Sequence, residues 1–586
     1  MTRLIIALSF IPILSTQAAE IILPSVYADH MVIQTDQPIV LSGFSSGVLG
    51  ELVIELAEQR ATVRHKPFGS WTVTFDPVVA PGGSHALTFT FEGDVIHSVN
   101  NITFGDVWVC SGQSNMEWEM TQINDSASEI DGAEFPNIRI MAVSLQLAGA
   151  PLRDVKRLDQ EWTPCSPESI RRFSAVGYFF GRELHQETGR PIGLIQSAWG
   201  GTPIETWIPD TALQQNPYFE NVARHNVAPS QRYNAMIHGL APLAIKGAIW
   251  YQGENNASWP QEYRSWQETL ITSWRDLWNN PEMPFYFVQL ANYRPGARWE
   301  LLREAQTQTL AVPHTGMAVT IDIGDSTDIH PRNKQDVGRR LAAIALAKDY
   351  RQAHRVYSGP TFKSASTDGH NITLHFDHVG SGLIGIDGGA KAKGFEARYA
   401  LGNWKSVTAK IVGNTIEIPG NLFDKDPQAV RYGWDSDPEV TLANKEGFPA
   451  VPFRFEALEE LTYSSWKDQL VGTARLPDED ANGDGSSNLW QYASAEKPPS
   501  VAKLANGTHI LTFHRRATAI DIHVSLEQSS DLEAWTETWS NDQPDTNSLA
   551  WTQENDWGAT MTDRYTVTIP ATTEPAAYYR VRYRLK

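Results

Sequence analysis

The segment Gly112-Gln113-Ser114-Asn115-Met116 follows the strand-like run Ile102 to Cys110 and sets a serine where a strand ends. In an open parallel sheet the carboxyl ends of the strands form the ligand crevice, so a serine on the first loop beyond a buried strand is both held and exposed. Small polar residues are ordinary in turns, and this serine alone carries little weight. Three further segments repeat the arrangement of an apolar run ending in small or polar residues. Ile192 to Trp199 leads into Gly200-Gly201-Thr202, Gly247 to Tyr251 into Gln252-Gly253-Glu254-Asn255, and Met317 to Ile321 into an Asp-rich stretch ending at His330. The set supplies a nucleophile, a base, an acid and oxyanion donors, which is what acyl transfer needs.

Each role has a chemical reason. A serine hydroxyl is a weak nucleophile at neutral pH, so a base must take its proton, and an imidazole can do so and then protonate the leaving alcohol. Of the sixteen histidines, His330 is the one at a strand-end loop, fixed by Pro331 and followed at once by a helical pattern. A carboxylate should orient the imidazole and stabilise its charged form, and Glu254 and Asp328 both qualify. Two other readings use the same residues. The Gly-x-Ser-x-Gly elbow of α/β-hydrolases is disfavoured because Met116 stands where its second glycine belongs. Asp322, Asp325, Asp328 and His330 could ligate a divalent metal, but loop acids around a histidine fit the run better.

The elements that must position these residues are legible as patterns. Helical periodicity runs from Ser174, a capping serine, to Gly189, a terminating glycine, and again over Gln261 to Asn279 and Asn333 to Asp349. Strands alternating with helices imply a parallel, doubly wound sheet, with all four polar segments on one edge.

Cys110-Ser-Gly-Gln-Ser-Asn-Met116, Gly200-Gly-Thr-Pro-Ile-Glu-Thr-Trp207, Trp250-Tyr-Gln-Gly-Glu254 and Ile329-His-Pro-Arg-Asn-Lys334 together resemble the sialate O-acetylesterase family, within the wider serine esterases of the Ser, Gly, Asn, His block pattern. Leu23 to Val32 and Asn444 to Arg454 are similar to that family's opening and closing segments, so the resemblance covers roughly residues 20 to 455. It implies Ser114 as nucleophile and His330 as general base. Related acetyl esterases take the acid from the Gln-Gly-Glu segment, which is Glu254 here. The wider superfamily uses an Asp three residues before the histidine, a place held by Thr327, so Glu254 is favoured, with Asp328 and Asp325 as fallbacks. For the oxyanion hole the resemblance implies the N–H groups of Ser114 and Gly201 with a side-chain amide from Gln252 or Asn255. Trp207 and Trp118 are the aromatics expected near the crevice, where a ring can pack on a sugar.

The fold class expected is α/β: a flavodoxin-like, three-layer parallel-sheet esterase domain over 105–455, flanked by β-sandwich-like domains. Residues 1–19 read as an export signal, with Arg3, an apolar run from Leu4 to Leu14 and a small-residue end, which places the mature protein outside the cell or in a periplasm. Residues 20–104 alternate in short apolar runs between Gly/Pro turns, as an N-terminal β domain does, and a second β-rich segment spans about 356–440. A linker at 460–500 holds Asp480, Asn482 and Asp484 at calcium-loop spacing, although Gln491 stands where a bidentate Glu would close the loop. Residues 501–586 read as a β module for attachment to a cell surface or polysaccharide.

No other apolar run approaches a membrane span. The formal net charge of -20 argues against nucleic acid as a partner, yet allows an anionic sugar if the site carries a cation. Cys110 and Cys165 are expected to be buried free thiols, and the sequon at Asn256 a chance match. The expected function is a secreted serine esterase removing O-acetyl groups from carbohydrate, sialate first, with acetylxylan or another acetylated polysaccharide as the alternative sugar. Catalysis is expected to need no cofactor. An inactive hydrolase serving as a carbohydrate-binding or adhesin protein is the alternative from another class.

Overall fold

The sheet that carries the site is built around one long strand. In the computed structural model, which describes residues 19–456 apart from 66–67, 79–81, 226–227, 368–370, 386–387, 399–402 and 420–428, and seven strands between 500 and 585, that strand is β1, Asp94–Gly112. Its first part is mostly exposed or half-buried and pairs antiparallel with His85–Phe91, while Ile102 to Gly112 is buried throughout, as a strand covered on both faces must be.

The other strands of this sheet are β2 (Phe135–Val143), β3 (Leu158–Cys165), β4 (Ile192–Ala198), β5 (Gly247–Tyr251), β6 (Phe285–Val288) and β7 (Thr315–Ala318). Their order is β3-β2-β4-β1-β5-β6-β7, parallel at every pair except β3 against β2. Register decides where the loops fall. Gly112 lies opposite both Ala198 and Tyr251, so β1, β4 and β5 end level and their loops leave from one line.

Gly112 itself is forced. Its φ of +138° disfavours any side chain, and a Cβ would run into the Tyr251 carbonyl. Gly112→Ala should therefore cost about 3 kcal/mol of stability, read as a lowered denaturant midpoint.

Four helices complete the layers: α1 (Ala175–Thr188), α2 (Pro260–Leu277), α3 (Trp299–Gln308) and α4 (Lys334–Lys348). The capping signals act as read. Ser174 Oγ accepts from Gly177 N, Gly189 closes α1 with φ 68°, and Asn333 caps α4 by accepting from Asp336 N. Ser174 also donates to the carbonyl of Met116 at 2.6 Å, so the cap of α1 anchors the turn that carries Ser114. Helix α3, strand β6 and the pair β2–β3 had not been foreseen from the sequence.

The N-terminal strands Glu20–Ile22, Ile39–Ser46 and Phe68–Phe75 form a separate three-stranded sheet, while Val32–Gln34, Gly50–Leu56, Gln59–His65 and His85–Phe91 extend from β1. A second compact unit takes in 363–375, 391–432 and 453 onward. It contains most of a seven-stranded sheet running from Thr361–Thr367 to Phe453–Glu456, antiparallel wherever its register is defined. The seven strands past residue 500 form sheets of four and three. Residues 1–18, within the segment expected to be an export signal, and the Asp480, Asn482, Asp484 stretch lie outside the described residues.

Candidate active site

Ser114 begins a one-turn helix, Ser114–Glu117, immediately beyond β1. Its Oγ and Nε2 of His330 share a hydrogen bond of 2.8 Å, joining residues 216 apart in the chain. The imidazole is stacked on Trp118, ring centroids 4.4 Å apart and 14° from parallel, which fixes its plane. Gly200 passes so close that a Cβ there would stand 3.2 Å from the Cβ of Ser114, and Gly200 N donates to Glu117 Oε2 at 2.7 Å. The turn that carries Ser114 and the Gly-Gly loop are thereby tied together. Gly201 follows with φ 68° and is exposed.

The carboxylate next to His330 is that of Asp328, the fallback of the expectation, and not that of the favoured Glu254. Glu254 accepts from Asn115 Nδ2 at 2.6 Å and makes no contact with the imidazole, and its other oxygen is buried without a hydrogen-bond partner among the described residues. The carboxylate beside Nδ1 is that of Asp328, whose Oδ1 lies 3.6 Å away and accepts the backbone N–H of His330 at 2.9 Å. The geometric reason is the side of approach. Glu254 leaves the end of β5 toward Asn115, beneath the serine, whereas Nδ1 faces the loop that contains Asp328. Asp325 is further removed: it accepts from the N–H groups of Thr327 and Asp328, shaping that loop.

Beneath the serine lies a buried polar chain that the sequence did not reveal. Lys334, the first residue of α4, is wholly buried and donates to Asn115 Oδ1 at 2.5 Å, while Asn115 donates in turn to Glu254 and to the carbonyl of Ile329. Burial drives the lysine down to about 7, against the attraction of Glu254 and Asp328. Burial likewise raises Glu254, opposed by the Asn115 hydrogen bond and Lys334. His330 is lowered from its usual value, by burial first and by Lys334 second, with Asp328 opposing.

Two of the expected substrate contacts are overturned. Gln252 is fully buried, donating to Thr202 O and Asn256 Oδ1 and accepting from Tyr263, so its amide has no route to an oxyanion. Trp207 is also fully buried, with its indole N–H on Thr202 and its ring edge-on to Trp250; it is core, not a sugar platform. Asn255 does reach the surface, with Nδ2 on Gly201 O at 3.2 Å. Asn256 is buried with both ends of its amide engaged, which leaves no glycan site there. Cys110 and Cys165 are free and buried, as expected. Of the acids in the metal alternative, Asp322 is taken by Arg340 through two contacts of 2.6 Å, and among the described residues no group of three or more His, Cys, Asp or Glu is placed to hold a metal ion.

A cleft of about 430 Å³ has Gly201, Pro203, Asn255, Arg232, His225 and Trp259 among its walls; Gly201 directly follows Gly200, which packs on Ser114, and Asn255 N donates to Gln113 Oε1 at 3.3 Å. His225 is pinned by Glu205 Oε1 at 2.7 Å and stacked on Trp259. Neither Arg232 nor His225 had been singled out, because both sit in an irregular stretch between β4 and β5 where no periodic pattern marks them.

Comparison with known proteins places the chain among carbohydrate esterases. The family model described as carbohydrate esterase, sialic acid-specific acetylesterase, matches residues 104–347. The sialate O-acetylesterase of Rattus norvegicus is 31% identical over 425 residues, spanning 60% of this chain and 78% of the relative. That of Mus musculus is 31% identical over 430 residues with the same coverage. Among solved structures, a carbohydrate acetylesterase from Xanthomonas citri superposes with a TM-score of 0.69 at 38% identity, over 75% of this chain and all of that one. The chain belongs to the sialate O-acetylesterase family.

Proposed function

We propose that the protein removes O-acetyl groups from carbohydrate through an acyl-enzyme, with Ser114 as nucleophile, His330 as base and Asp328 as the carboxylate that orients it. The observation that carries this is the 2.8 Å contact of Ser114 Oγ with His330 Nε2 at the level ends of β1, β4 and β5. Ser114 Oγ attacks the acetyl carbonyl as Nε2 takes its proton. The same proton passes to the sugar oxygen as the C–O bond breaks, and water then releases acetate by the reverse sequence. Negative charge on the carbonyl oxygen is met by the N–H groups of Ser114 and Gly201 and the amide of Asn255, donors that need not reorganise as the charge develops.

Sialate is the sugar favoured by the family, with acetylated xylan or another polysaccharide as the competing class. The fold reading is flavodoxin-like: without the β2–β3 insertion, the strands run β4-β1-β5-β6-β7, the order 2-1-3-4-5. The β-sandwich character of the flanking segments, export by the leader, and attachment through the strands past 500 belong to the same proposal. No helix among the described residues is long and apolar enough to cross a membrane.

Acetate release from a panel of acetylated sialosides and xylans, followed against pH, tests the assignment. His330 must be neutral to accept a proton, so activity falls as the pH drops through its pKa. Because burial and Lys334 hold that pKa under 6.5, the acid limb of kcat/KM should lie below pH 6.5. Lys334→Met removes the cation and should move the limb to higher pH; a limb that stays in place or moves lower would contradict His330 as the base.

A further inference from the structure

We infer that Arg232 binds the carboxylate of an acidic acetylated sugar, making the cleft beside Ser114 selective for carboxylated over neutral substrates; this rests on the esterase reading above. Arg232 contrasts with arginines such as Arg190, Arg340 and Arg355, each of which is paired with a carboxylate. Arg232 has no ion pair or hydrogen bond among the described residues, and its Nε is buried without a partner. Its guanidinium carbon sits over the Trp199 ring, 4.4 Å from the centroid, and it lines the cleft. Stacking holds the planar fork in place while leaving its edge N–H groups to be satisfied by a ligand. Burial lowers its pKa with no carboxylate to oppose the effect, which makes an incoming anion the missing counter-charge.

The position is built, not incidental. The backbone either side is fastened to the 148–152 segment: Ala148 N donates to Gln231 O, Leu152 N to Asn234 O, and Asn234 Nδ2 to Ala148 O. Trp199, beneath the guanidinium, directly precedes Gly200, which packs on Ser114. The proposal puts the ring of a sugar whose acetyl group meets Ser114 along Gly201 and Asn255, which line the cleft with Arg232. The nearby acids do not compete for the arginine. Glu205 and Glu262 lie behind His225, with oxygens taken by Asn256, Asn221, Trp266 and His225 itself. A carboxylate on a planar fork is the bidentate match, and a neutral pentose has nothing to offer it.

The test is a double cycle on acetate release, crossing wild type and Arg232→Gln with an O-acetyl sialic acid and its carboxamide, and with an O-acetyl hexuronate and an O-acetyl xyloside as further arms. Wild type should favour each acid over its neutral counterpart by about tenfold or more in kcat/KM, mainly through KM, and Arg232→Gln should erase that preference. Preference for both acids marks the carboxylate as the feature read, and preference for one alone names the sugar. Equal wild-type rates on the acid and its carboxamide would overturn the proposal, as would a preference that survives in Arg232→Gln. The substrate arm needs no variant, so it decides the matter even if Arg232→Gln does not fold. If Ser114→Ala is dead while the acid preference is missing, the esterase reading stands and only the role of Arg232 falls; absence of acetate release from every arm would remove the esterase reading itself.

Discussion

Ser114→Ala should lose on the order of a millionfold in kcat for acetate release, the loss typical of removing the nucleophile from a working Ser-His-carboxylate unit. The geometry makes this a clean deletion. Among the described residues the side-chain hydrogen bond made by Ser114 Oγ is to His330 alone, so alanine leaves the turn, its anchor to Ser174 and the Glu117 link to Gly200 intact. The melting temperature should therefore hardly move. Affinity for a non-hydrolysed substrate analogue should survive too, since Gly201, Asn255 and the cleft walls are untouched. A residual rate over water, on the order of a thousandfold, is expected from the oxyanion donors and binding alone. A serine-directed fluorophosphonate should label the wild type and fail on the variant. If the alanine protein, correctly folded, kept as much as about a hundredth of wild-type turnover, the nucleophile would have to be sought elsewhere.

The parts of this site that could be read from sequence are those fixed by position along a strand. Ser114, the Gly-Gly loop and Glu254 each follow an apolar run, and parallel register then brings the loops to one line whatever the details of packing. Helix ends were legible for a similar reason, since the Ser174 and Asn333 caps act within one turn of the chain. What could not be read is which way a side chain turns once its loop is placed. Gln252 and Trp207 stand in the same motifs as Glu254 and Gly201, yet both are consumed by contacts with Thr202 inside the core. A motif fixes a neighbourhood, and burial decides whether a member faces the substrate or the packing. Lys334 shows the converse: an ordinary helix-starting lysine in sequence becomes a buried cation below the nucleophile, because α4 begins directly after His330. Arg232 lacked any signal, since its role depends on having no partner, a property visible only when all its neighbours are known.

The choice of carboxylate has the second-largest consequence and divides cleanly between two variants. Asp328→Asn should lower kcat on the order of a thousandfold, because an amide cannot stabilise the imidazolium and can hold the ring in the wrong tautomer. The resting separation of 3.6 Å is no objection: catalytic hydrogen bonds are commonly long in the free enzyme and shorten when charge develops on the imidazole. Asp328 is also held in place by accepting the N–H of His330, so carboxylate and base move as one unit. Glu254→Gln should behave differently. Glutamine can still accept from Asn115, the serine and histidine keep their contact, and the loss in kcat should stay within about tenfold. Its effect should appear in stability, where Lys334 loses the buried charge that helps retain its proton, and a drop of about 2 kcal/mol is reasonable for so incomplete a pair. Turnover and denaturant midpoint measured on both variants thus give opposite patterns for the two acids. A thousandfold loss at Glu254 with near-normal turnover at Asp328 would reverse the assignment, and would mean that the Asn115–Glu254–Lys334 chain acts on the reaction through the serine turn and not through the imidazole.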